Sequence, residues 1–131
     1  MKRLRYIFVS VLGVALLIGG AAVTVAFAHE QKTAQQKTLV GHVVDLACYV
    51  GHGSIGEKHR ECATTCAKAG IPLAILDQKT QTLYLPLAKN HHAPANSDLM
   101  PFIEKDVVVT GSVIEKDGMK AILLEKIEAA K

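Results

Sequence analysis

The sequence predicts a mainly β protein: a small barrel of five short strands with one helix, about residues 57–69, inserted after the first strand. Three observations carry that reading. Asp106–Ile114 and Met119–Ile127 are the clearest strand pair and flank Lys116-Asp117-Gly118, a hairpin signal, because Asp-Gly tolerates the left-handed backbone a tight turn needs. Leu73–Leu76 and Thr82–Leu87 form a second pair of apolar runs around the polar segment 77–81. Between the first apolar run and these pairs lies Glu57–Ala69, of helical character, stopped by Gly70 and Pro72.

Leu39–Leu46 reads as the first strand. Gly51, Gly53 and Gly56 then mark a loop, and Ser54-x-x-Glu57 has the spacing of a capping box for the helix. Residues 88–102 read as a loop with one turn of helix, and Met100 and Met119 as core fill. Closure into a barrel is the usual way for a small domain to hide its sheet edges. The final hairpin, VVVTGSVIEKDGMKAILLEKIE, resembles the closing strands of OB-fold domains, and the resemblance extends over residues 38–128. It implies an OB-like barrel domain over 38–131.

The net charge of +3 invites a nucleic-acid reading, and its distribution removes that reading. Lys2, Arg3 and Arg5 supply the excess, and no acid occurs before Glu30. Ile7–Ala28 carries no charge and ends in Ala26-Phe27-Ala28, small residues at the two positions a signal peptidase reads. Residues 1–28 therefore read as a signal peptide cleaved after Ala28. An uncleaved anchor is the alternative, since the run is long enough to span a bilayer core of about 30 Å. Either way the positive end stays inside and the remainder is exported, to a periplasmic or other extracytoplasmic location. Residues 29–37 (HEQKTAQQK) read as a flexible linker. The rest of the chain is neutral, has no Trp, and offers only Tyr49, Tyr84 and Phe102 for stacking. An OB-like domain with neither a positive groove nor a stacking platform is not expected to bind nucleic acid.

The chemistry lies in Cys48, Cys62 and Cys66. On a helix His59, Cys62 and Cys66 stand at i, i+3 and i+7, which at about 100° per residue is a single stripe. Ala63 is a small neighbour through which another element can come close. Cys48 ends the first strand, and the Gly-rich loop lets the chain fold it back over that stripe. Three sulfurs and one imidazole make a Cys3His set for Zn(II) or Cu(I). The expected metal ligands are thus Cys48, His59, Cys62 and Cys66. His42, His52, His91 and His92 are further candidates, and Asp45 is a candidate acceptor for an imidazole N–H behind the ligands. A carboxylate ending a strand also commonly caps a turn.

Two other readings stay open. In an oxidising compartment exported cysteines usually pair, so Cys48 with Cys62 or Cys66 would brace a structural or interaction module. Such a bridge would contribute about 3 kcal/mol and leave one thiol over. A thiol redox protein would need a cysteine of depressed pKa. There is no C-x-x-C, C-x-x-C-H, G-x-x-x-x-G-K-[ST] or G-x-S-x-G, and no catalytic pair stands out, so the expected protein is not an enzyme. Cys62-x-x-x-Cys66 resembles copper sites of the C-x-x-x-C type, with Gly70 where a dinuclear centre has histidine and Ala67 where a copper-delivery site has proline.

Val43-Val44-Asp45-x-x-Cys48-Tyr49 followed by His59-x-x-Cys62-x-x-x-Cys66 and Gly70-x-Pro72 resembles a group of small exported bacterial proteins of uncharacterised function. The resemblance implies that these residues act as one unit, and implies no reaction.

Overall fold

The computed structural model describes residues 34–90 and 92–131. The stretch read as a signal and most of the expected linker lie outside them. Five strands, β1 (Gln35–Asp45), β2 (Leu73–Asp77), β3 (Leu83–Leu87), β4 (Asp106–Lys116) and β5 (Met119–Ala129), close into a barrel in the order β1-β2-β3-β5-β4. All neighbours are antiparallel except β3 and β5. This closed five-stranded barrel is consistent with an OB-like fold. Helix α1 (Leu46–His52), a 3-10 turn (Glu57–His59) and helix α2 (Arg60–Lys68) lie between β1 and β2, while the short helix α3 (Asn96–Leu99) and a 3-10 turn (Met100–Phe102) link β3 to β4.

The β4–β5 hairpin forms as the sequence predicts, with Asp117 and Gly118 at φ 51° and 83° in the turn. In β3, Leu83 and Tyr84 pair with β2, whereas Leu85–Leu87 pair with β5. Pro86 therefore sits where the β2 side of the strand has no ladder to lose a donor from. Gly111 lies at a register shift in β4, and a Cβ there would collide with the Leu123 carbonyl oxygen. Gly41 faces a similar limit, since a Cβ would stand 2.5 Å from Ile75 Cγ2.

The core gathers Leu39, Val43, Leu73, Ile75, Tyr84, Val107, Val109, Ile122 and Leu124 from the strands, with Leu99 and Ile103 entering from the β3–β4 connection. Ala63 and Ala67 bring α2 onto this same cluster. Their side chains are small enough for the helix backbone to approach the barrel, as expected for Ala63, which is fully buried.

Four expectations are corrected. β1 begins at Gln35, within the stretch read as linker, because residues 35–37 pair with 111–113 of β4. The polar composition there reflects an exposed strand rather than a tether. Residues 46–52, read as strand end and loop, form α1, which Asp45 caps through its side chain and Gly53 ends at φ 68°. The Ser54-x-x-Glu57 box does not cap the helix: Gly56 precedes the 3-10 turn, and neither it nor α2 has a side-chain cap. Met119 is exposed, being the first residue after the β4–β5 turn, whereas Met100 packs against the core.

Candidate metal centre

The site is built by two short helices, both in contact with β1. β1 delivers Asp45 in the fully buried state, and its carboxylate Oδ1 accepts from the Cys48 backbone N–H at 2.9 Å. That bond satisfies one of the orphan N–H groups at the start of α1 and sets Cys48 in its first turn. α2 is placed by the burial of Ala63 and Ala67, which leaves Cys62 exposed and Cys66 half-buried. At its C-terminus the Ile71 N–H donates to the Cys66 carbonyl at 3.0 Å, and Asn96 Nδ2 donates to the Ile71 carbonyl at 2.7 Å. Asn96 Oδ1 accepts from the Leu73 N–H at 2.9 Å, so one side chain ties the end of α2, the start of β2 and α3 together.

The Sγ atoms of Cys48, Cys62 and Cys66 all lie within 4.8 Å of one another, and all three cysteines are free. No imidazole or carboxylate joins this group among the described residues. The spacing suits three thiolates on one ion, since metal–sulfur bonds of about 2.3 Å hold bound sulfurs roughly 4 Å apart.

The site carries an unusual charge neighbour. Asp45 hydrogen bonds to the protonated Cys66 thiol, and this, with burial and the carboxylate's charge, pushes Cys66 up to about 12. Burial comes first in raising Cys48, followed by the charge of Asp45. The second oxygen of Asp45, Oδ2, is buried without an N–H or O–H partner. In the metal-free chain the Cys48 and Cys66 thiols are thus held protonated, and any cation must displace those protons.

His59 ends the 3-10 turn and precedes α2, with φ −93° and ψ −10°. It belongs to the 3-10 turn rather than to α2, so the 100° spacing of an α-helix does not carry through from His59 to Cys62 and Cys66. Its Nε2 is nevertheless buried and unpartnered. No protein-family model, curated protein or solved structure matches this chain. The reading of the site therefore stands on its own geometry.

The other histidines are placed elsewhere. His42 on β1 has Nδ1 2.6 Å from Asp106 Oδ1 and Nε2 3.2 Å from Glu104 Oε2. His52 is exposed at the end of α1, and His92 is exposed in the turn after β3. His91 lies outside the described residues. Asp45, expected behind an imidazole or as a turn cap, caps α1 and lies against the Cys66 thiol. One residue escaped the sequence reading. Glu104, fully buried at φ 54°, accepts from the Gly56 N–H at 2.6 Å and so pins the α1–α2 connection to the start of β4. No pattern around Glu104 signals that role, because its partner is 48 residues away in the chain.

Proposed function

We propose that this protein binds a thiophilic metal ion, Zn(II) or Cu(I), through the thiolates of Cys48, Cys62 and Cys66, outside the cytoplasm. The convergence of three sulfurs within 4.8 Å carries the reading. Helix packing and capping put them there without a disulfide, and three free thiols in van der Waals reach of one ion are a donor set for soft metals. His59 is the proposed fourth ligand for a tetrahedral ion. Its buried, unpartnered Nε2 supports this assignment. The export of the chain rests on the positive, apolar, small-residue pattern of residues 1–28. Kinship with the exported proteins that share the Asp-x-x-Cys…His-x-x-Cys-x-x-x-Cys motif is part of the same proposal.

A thiol redox role is disfavoured by the same surroundings, since Cys48 and Cys66 are shifted away from the thiolate. Elemental analysis and a thiol count on the purified, reduced chain test the metal reading. One equivalent of metal is expected, lost on Cys62→Ser or Cys66→Ser and weakened on acidification as the thiolates take up protons. Protein that contains a disulfide, and gains no metal when reduced, would sink the proposal.

A further inference from the structure

Three thiolates on one side of an ion do not by themselves distinguish Zn(II) from Cu(I), because both accept sulfur donors. The residue that discriminates is Asp45. It is fully buried, its Oδ1 is committed to the Cys48 N–H, and its Oδ2 has no N–H or O–H partner. It lies against Cys66 and acts electrostatically on Cys48 as well. A buried carboxylate with one oxygen engaged and the other lacking an N–H or O–H donor is favoured in its charged form by a cation beside it.

We propose that Asp45 is a specificity-determining residue that biases the three-cysteine centre toward a divalent cation and against a monovalent one. The inference rests on the metal reading above. Its physical basis is a difference between two complexes that share the same ligands. The repulsion between Asp45 and the three thiolates is common to both and cancels in their ratio. The attraction between Asp45 and the ion does not cancel, because it scales with the charge of the ion. At an effective dielectric constant near 20, one additional elementary charge within several ångströms is worth roughly a hundredfold in affinity. Water at the exposed Cys62 reduces that effect, so a shift of about tenfold or more is the expected size. Asp45 is a positioning and charge-setting residue here, and the sulfurs remain the ligands.

The test compares the full chain, thiols reduced and oxygen excluded, with Asp45→Asn and Asp45→Ser. Both replacements retain an oxygen that caps α1, so the helix start is preserved while the charge is removed. Circular dichroism of the metal-free variants verifies the fold. Zn(II) and Cu(I) affinities are then measured by competition with chromophoric chelators. The expected result is a Cu(I)-to-Zn(II) affinity ratio raised about tenfold or more in both variants. A merely structural role for Asp45 would weaken both ions together and leave the ratio unchanged. An unchanged ratio in variants that bind both ions overturns this inference and leaves the metal reading intact. Failure of the unaltered chain to bind either ion overturns the metal reading, and this inference with it.

Discussion

At the residue scale, the same type of side chain does opposite work at the two ends of the β1–β2 ladder. Asp45 meets no cation, whereas Asp77 is fully provided for. Burial works to raise the Asp77 carboxyl, but the Lys37 ammonium at 2.9 Å, with Thr80 and the N–H groups of Lys79 and Thr80, outweighs it and brings the group down to about 2. Lys37 also donates to Tyr84 Oη at 2.9 Å, and that bond leads in raising the lysine despite its partial burial. A carboxyl lowered in the folded chain adds stability that is full above its ordinary value of 3.8 and is lost as pH falls toward about 2. Thermal melts of the full chain between pH 5 and pH 2 should therefore decline more steeply than those of Asp77→Asn. The difference at neutral pH should be about 1–2 kcal/mol, reduced from the full shift because Lys37 is partly exposed. Parallel acid profiles for the two chains would show that Asp77 contributes nothing in this way.

At the element scale, two features were unreadable one residue at a time. Residues 46–52 contain Val50 and Gly51 and continue a β-branched run, so local propensity points to strand end and loop. Asp45 overrides that propensity by capping Cys48, and the Leu46 N–H donates to the Pro72 carbonyl at 3.0 Å, in register with the β1–β2 ladder, so α1 starts directly from the ladder's end. Gly111 is the second feature. A glycine in the middle of a strand is locally unfavourable, and only the approach of the Leu123 backbone explains it. Gly111→Ala should cost about 2–3 kcal/mol by chemical denaturation, since the colliding atom is backbone and cannot rotate away. Gly70→Ala, where nothing lies within 4 Å, tests a different term: its φ of +97° carries a conformational cost of about 1 kcal/mol without a clash.

At the scale of the whole molecule, the barrel and α2 share one core, while Leu46 and Tyr49 of α1 pack on a second cluster of Val44, Ala74 and Leu76. Leu99 reaches that core from the β3–β4 connection, and Ala63 and Ala67 reach it from α2. Leu99→Ala should lower stability by about 2–5 kcal/mol, because a fully buried side chain leaves a cavity that the closed strands cannot collapse around. An ion bound by α1 and α2 together would stabilise the folded state through mass action. The melting temperature of the reduced chain should rise with added Zn(II), and the increase should vanish in Cys62→Ser. A melting temperature indifferent to metal in the unaltered chain would show that no ion links the two helices. Comparison of the metal-free Leu99→Ala and Cys62→Ser melts separates packing loss from ligand loss.

The five strands, their hairpins and the inserted helix were legible in the sequence because each depends on contacts within a few residues: β-branched alternation, an Asp-Gly turn, a Gly-x-Pro stop. The three cysteines were legible as a unit for the same reason, since Cys62 and Cys66 are one helical turn apart and Cys48 follows closely on the first strand. What only the tertiary structure decided is how those pieces converge. The three sulfurs come within 4.8 Å because Ala63 and Ala67 bury one face of α2 and Asp45 caps α1. His59 stands apart from that group because the chain winds as a 3-10 turn before α2 begins. Which groups share a site depends on close packing and buried hydrogen bonds between segments far apart in the chain, and residue order does not record those distances.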